Sequence, residues 1–275
     1  MRIVEWRQFA GESPPESARI RDALPENRGF SLTIGVFDGV HRGHQELIRR
    51  IVSRSPCSTV ITFTRNPKQV LSPGTYHGDI FSLKQKLAIF DSLGISRTVL
   101  IDFSGNFSKL TGREFIYLLK KRFRIEYVAL GMNFRCGYRL DTGAAAIKSW
   151  MKEDGIITDL VHPVMEGRHP VSSSRIRAAI SSGDLSAAAV LLGRKIRIDL
   201  SDIPPCAAGE DRSYDAASAF RILPPEGRYT ALVHGADTGE GIKTGISIRD
   251  GKILIPGKTG RKALNAESVE LIQGD

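Results

Sequence analysis

Cysteine is scarce in this chain, and long apolar runs and long basic runs are missing. The 3 cysteines among 275 residues, Cys57, Cys136 and Cys206, are far apart and odd in number. That argues against a disulfide framework and against a cysteine-rich metal site, and it suits a reducing cytoplasm. No apolar stretch approaches the ~20 residues that span a bilayer, so no membrane partner is expected. The opening segment MRIVEWRQFAGESPPES carries charge early and has no apolar centre, so it is not expected to act as a secretory signal. Charge itself is plentiful: 39 Lys and Arg against 30 Asp and Glu give a net +9. Such a balance fits a polyanionic partner, whether nucleic acid, an anionic membrane surface or a nucleotide. The basic residues are scattered, with only short clusters such as Lys120-Lys121-Arg122. No aromatic-interleaved basic stripe accompanies them, which favours nucleotide handling over RNA binding.

The most informative stretch present is GVFDGVHRGH, residues 35–44. It follows an apolar run, Leu32-Thr33-Ile34, that reads as a buried strand. A helical pattern comes after it, with Leu47, Ile48 and Ile51 on one face. His41 and His44 therefore stand where a strand turns into a helix. Helix N-termini offer free N–H groups and a partial positive charge, so they bind phosphate. Gly39 permits a tight turn, and Gly43 lets a ligand approach the backbone.

The first two-thirds of the chain alternates strands and helices. Strands are expected at 60–63, 98–103, 127–130 and 157–162, with helices at 83–93, 112–122 and 147–154. This alternation implies right-handed crossovers and a parallel, doubly wound sheet, with ligands at the carboxyl ends of the strands. Helices at 174–181 and 184–192 close the region. From Ile196 the chain turns rich in proline and glycine, with short alternating strands at 229–233 and 252–255. The expectation is an α/β Rossmann-like domain over 1–194 and a small β-barrel over 195–275.

Three further segments bear on chemistry. VSSSRIR, 171–177, sets three serines before a helix, with Arg175 and Arg177 after them. Serine caps helix N-termini, and arginine is a forked donor to phosphate oxygens, so an anion site is expected. GMNFRCGYRLDTG, 131–143, follows a strand and offers backbone groups and an aromatic face to a flat ring. TFTRNP, 62–67, ends a strand in a sharp X-Pro turn.

In this order, GVFDGVHRGH, TFTRNP, GMNFRCG and VSSSRIR resemble the bacterial FAD synthetase family, specifically over residues 30 to about 194. A lone HxGH would mark only the nucleotidyltransferase superfamily; the four segments together narrow it to the flavin branch. These proteins are usually bifunctional, with an FMN adenylyltransferase module of HxGH type followed by a riboflavin kinase barrel. The resemblance implies ATP and FMN as substrates, FAD as product, and Mg²⁺ held with few protein ligands, none assigned here. Carried over by position, His41, His44, Ser173, Ser174 and Arg177 would be catalytic. Gly35, Val36, Phe37, Asp38 and Gly39, with His41, His44, Ser173 and Arg177, would hold ATP. Thr62, Phe63, Asn66, Asn133, Phe134 and Arg135 would lie on the flavin side. Departures are Val36 for asparagine, Asn66 for histidine, Ser174 for threonine, Pro170 for a basic residue, and Cys136 for an apolar or aromatic one.

The C-terminal module departs further. The family's kinase carries a glycine-rich segment running into Pro-Thr-Ala-Asn; SYDAASAF, 213–220, stands in roughly its place without the proline or asparagine. PPEGRYTALV, 224–233, does resemble the family's Pro-x-Gly-x-Tyr strand start. The expectation is therefore a barrel without kinase activity, which packs on the first domain or holds a homo-oligomer together. The alternatives are the full bifunctional enzyme, a nucleotidyltransferase acting on another phosphate, and a non-catalytic nucleic-acid-binding protein.

Overall fold

Strands made almost wholly of buried residues, such as Phe30–Ile34 and Arg97–Ile101, need cover on both faces of their sheet. Our computed structural model describes residues 1–7, 29–103, 107–208, 211–235, 241–257 and 266–272. In it six strands form one parallel sheet: β1 (Arg2–Glu5), β2 (Phe30–Ile34), β3 (Ser58–Phe63), β4 (Arg97–Ile101), β5 (Ile125–Gly131) and β6 (Ile157–Val161). Their spatial order is β1-β4-β3-β2-β5-β6. Thr33 of β2 faces Val60 on one side and Ala129 on the other. The chain runs outward from β2 through β3 to β4, then crosses back to β5. The order thus reverses beside β2, and the carboxyl ends of β2 and β5 flank the crevice where such sheets bind ligands.

The helices follow the sequence pattern closely. Helix α1 (Arg42–Arg54) buries Leu47, Ile48 and Ile51. Helix α2 (Leu83–Ser92) buries Lys86 and Phe90. Helix α3 (Gly112–Arg122) opens on a capping box, Thr111 with Glu114, which satisfies two end N–H groups reciprocally. Helix α4 (Ala144–Glu153) buries Ala144, Ile147 and Met151. One apolar cluster joins Leu32, Ile61, Val99 and Val128 to α3 and α4, and another joins Val60 and Ala129 to α1 and Phe90. The edge strand β1 has no counterpart in the expectations, and β4 ends at Ile101, two residues short of the expected strand.

Residues 1–74 and 86–170 make one compact unit; 75–85 and 171–275 make the other. The second contains α5 (Ser173–Ser181), α6 (Leu185–Leu192) and a seven-stranded antiparallel sheet. Its strands are β7 (Arg197–Asp199), β8 (Cys206–Ala208), β9 (Asp211–Asp215), β10 (Gly227–Gly235), β11 (Ile242–Arg249), β12 (Lys252–Ile255) and β13 (Ala266–Ile272). The order β7-β13-β10-β11-β12-β9-β8 leaves β7 and β8 at the edges, unpaired with each other among the described residues. The expected small barrel is therefore a curled half-barrel. The two helices group with this sheet, so position 194 falls inside the second unit and marks where helix gives way to strand.

Candidate active site

The chain leaves β2 under strain. Gly35 N–H extends the ladder to the Ile61 carbonyl at 3.1 Å. Phe37, Gly39 and Val40 then take φ of 53°, 76° and 39°. Glycine adopts such values freely. A β-branched valine does not, and holding it there costs on the order of 1–3 kcal/mol. Packing sustains the conformation: Phe37 and Val40 are buried, and the Phe37 ring meets Phe90 edge-on at 5.7 Å.

This turn delivers His41 to the N-cap of α1, where its Nδ1 accepts the His44 backbone N–H at 3.4 Å. His41 thus caps the helix, His44 lies in its first turn, and their rings stack with centroids 3.6 Å apart. Phe37 closes the far side of His44 at 5.0 Å. The pair sits at the positive end of a 13-residue helix, beside the carboxyl end of β2.

Burial strips hydration from an imidazolium and so favours the neutral ring. It pushes His41 down to about 4. His44 is held well below the usual histidine range, first by burial and then by the charges of His41 and Lys86. Both rings are therefore neutral at pH 7 in the free protein. Because His41 Nδ1 accepts a hydrogen bond, its proton is assigned to Nε2, which makes Nε2–H a donor.

A stability consequence follows for pH. Above the unfolded value of 6.5 neither state of His41 is protonated; as pH falls toward 4 the unfolded chain gains a proton that the folded protein refuses. The folded state should lose about 3 kcal/mol by pH 4 from His41 alone. His41→Asn keeps a capping acceptor and should flatten the fall in melting temperature between pH 6.5 and 4.5. Parallel melting curves for variant and wild type would rule this assignment out.

The residues expected on the flavin side divide in two. Thr62 is fully buried, and its hydroxyl donates to the Val36 carbonyl at 3.0 Å. Asn66 caps the short helix Pro67–Leu71 by accepting the Lys68 N–H. Phe63 is half-buried against the core. The second group lies past β5, where Phe134 N–H returns to the Gly131 carbonyl at 2.9 Å. Arg135–Cys136 then pairs with Thr142–Gly143 as a small hairpin. Asn133 is exposed at this turn, while the Arg135 guanidinium donates twice to the Leu140 carbonyl, at 2.9 and 2.7 Å. Arg135 thus braces its own loop.

Lys86 is not among the expected site residues, yet its buried ammonium donates to the Val36 and Phe63 carbonyls at 3.3 and 3.0 Å and to Thr62 at 3.3 Å. The half-exposed Arg42 of the HRGH turn pairs with Glu166 of the hairpin formed by Met165–Glu166 and His169–Pro170.

Ser173, Ser174 and Arg177 belong to the second unit. Of the three serines only Ser172 caps α5, accepting the Arg175 N–H at 3.3 Å. Ser173 and Ser174 occupy the first two helical positions, with Ser174 exposed. Arg177 Nε donates to the Gly78 carbonyl at 2.8 Å, and its guanidinium lies 5.8 Å from the Tyr76 ring centre.

The FAD synthetase family pattern matches residues 23–175. A bifunctional riboflavin kinase/FMN adenylyltransferase of Escherichia coli strain K12 is 29% identical over 215 residues, 75% of this chain and 69% of its own length. Its counterpart from Bacillus subtilis is 28% identical over 209 residues, 72% of this chain and 65% of the relative. A crystal structure described as a macrolide-efflux protein from Streptococcus pneumoniae shares the fold, with a TM-score of 0.73 at 22% identity, over 90% of this chain and 84% of the other. With its matched segment covering more than half of the sequence, the chain belongs to the FAD synthetase family.

Proposed function

We propose that the protein transfers AMP from ATP to FMN, forming FAD and pyrophosphate. The observation that carries this reading is the stacked pair of neutral histidines at the N-terminus of α1, beside the sheet's reversal point, with the turn bearing Asn133 following the neighbouring strand β5. The FMN phosphate is already largely ionised near neutral pH, since such groups have a second pKa of about 6. It attacks the α-phosphorus of ATP, and pyrophosphate leaves. No protein nucleophile or strong base is needed. The protein's task is to align two anions and offset their repulsion, which is catalysis by proximity and by donors aimed at developing charge.

In this reading the His41 and His44 N–H groups and the amides of α1 receive the ATP phosphates. The turn from Gly35 to Gly39 lies beneath the nucleotide. Asn133 and Phe134 meet the flavin side, with Thr62, Phe63, Asn66 and Arg135 shaping that wall. Ser173, Ser174 and Arg177 hold the departing pyrophosphate. Among the described residues no group of three or more His, Cys, Asp or Glu side chains could hold a metal ion. Mg²⁺ keeps several of its waters and needs few protein ligands, so it would enter on the ATP phosphates.

We also propose that riboflavin kinase activity is absent. Where the family's kinase motif would stand, Asp215 ends β9 and accepts from the Ser218 N–H and hydroxyl at 3.0 and 2.7 Å. The relatives are named as bifunctional, so the full enzyme is the second reading. Purified protein with Mg-ATP and FMN should yield FAD, whereas riboflavin in place of FMN should stay unchanged on chromatography. FMN formed from riboflavin would establish the second reading, and no FAD from FMN would end the first. A homo-oligomer held by the second unit, in a cytoplasmic setting, completes the proposal.

A further inference from the structure

Among the described residues, Lys86 is the one lysine held below a tenth exposure, and the adenylyl-transfer chemistry outlined above does not use it. A buried ammonium is costly unless its three donors are met. Here they meet the Val36 carbonyl, the Thr62 hydroxyl and the Phe63 carbonyl, at 3.3, 3.3 and 3.0 Å. Thr62 in turn donates to the Val36 carbonyl at 3.0 Å. Four residues further along α2, one helical turn on and so on the same face, Phe90 packs edge-on against Phe37. Helix α2 therefore grips two consecutive residues, Val36 by its carbonyl and Phe37 by its ring. Phe37 is where the backbone enters the left-handed region, and its ring is the wall against which His44 stands.

We propose that Lys86 is a positioning residue for adenylyl transfer: its ammonium fixes the Val36 carbonyl, and so the strained Phe37–Val40 turn that aims His44. The inference rests on the FMN adenylyltransferase reading. A lysine suits the role because it has three donors on one atom, whereas a glutamine amide has two. Its charge also disfavours a second cation nearby, and Lys86 is one of the groups that keep the His44 ring neutral.

Lys86→Met keeps the apolar stem and removes the ammonium. With wild-type FAD formation as reference, kcat should fall between about tenfold and 10²-fold, the scale of a small misplacement of reacting groups. The FMN KM should stay unchanged. The substrate-free His44 imidazole, followed by NMR, should take up its proton at higher pH than in wild type. A merely structural lysine would lower the melting temperature and leave that titration where it is. Unchanged kcat, or a fall in kcat that matches the loss of folded protein with His44 unmoved, overturns the proposal. If Lys86→Met does not fold, Thr62→Val is measured instead: it removes one acceptor and keeps the charge, so kcat should fall with His44 still titrating as in wild type. A rise in the FMN KM alone would then overturn it. Should wild type form no FAD, the functional reading fails, while the His44 titration still reports on Lys86.

Discussion

His44→Ala should lower kcat for FAD formation by about 10²–10³-fold, the usual loss for one donor aimed at transition-state charge. The helix cap survives, because the bond to His41 Nδ1 comes from the backbone N–H of residue 44, which alanine retains. What disappears is the ring stacked on His41 and packed against Phe37. Ring contacts of this kind contribute roughly 0.5–1.5 kcal/mol each, so the variant melts a few degrees lower yet stays folded at 25 °C. The FMN KM should change little, since His44 is assigned to the ATP phosphates. His44→Asn, which restores an N–H donor on a shorter side chain, should recover part of the loss. Steady-state rates at saturating Mg-ATP decide the matter, and kcat within threefold of wild type would remove His44 from the machinery.

The same residues show how far the sequence could be read. The helix expected at 112–122 matches α3, which the structure opens on the Thr111 cap and ends on basic residues. The expected strands at 60–63 and 127–130 lie inside β3 and β5, because buried parallel strands are unbroken apolar runs. Strand β1 was not legible: Arg2–Glu5 is a short edge strand with charge at both ends, the pattern of a surface tail. Lys86 was hidden for a related reason. A lysine in a helix reads as solvated, and only its spacing of four from the buried Phe90 hints that it faces inward. The family resemblance sets Arg135 on the flavin side, yet its guanidinium donates twice to the Leu140 carbonyl; which acceptor an arginine finds depends on a loop path that no periodicity encodes. The histidine pair was legible in kind, a phosphate cradle at a strand–helix junction. Its neutrality was not, since that comes from burial and from Lys86, both products of the fold.

Gly137→Ala should be the most destabilising small substitution near the site, at about 3 kcal/mol or more. Gly137 has φ 84° and ψ 174°, a region essentially closed to residues with a Cβ and costing on the order of 1–3 kcal/mol. A Cβ there would also lie 2.2 Å from both the Gly112 backbone nitrogen and Asp141 Oδ1. Neither neighbour can retreat cheaply. The Gly112 N–H opens α3 and donates to that same Asp141 oxygen at 3.0 Å, while Tyr138 N–H is tied to the Leu110 carbonyl at 2.8 Å. Gly112 has no slack either, because a Cβ on it would meet Thr142 at 2.3 Å. The loop from Gly131 to Gly143 is thereby locked onto the start of α3, and the added methyl must break that lock. For a unit of this size a loss of about 3 kcal/mol lowers the melting temperature by roughly 6–12 °C. The Arg135–Gly143 hairpin then shifts, and with it the Asn133 turn assigned to the flavin. FMN affinity, measured by quenching of flavin fluorescence, should weaken by about tenfold or more, since one mispositioned polar anchor costs on the order of 1–3 kcal/mol. ATP binding at α1 should hold. A Gly137→Ala protein with wild-type melting and wild-type FMN affinity would show that this loop neither carries the strain nor meets the flavin.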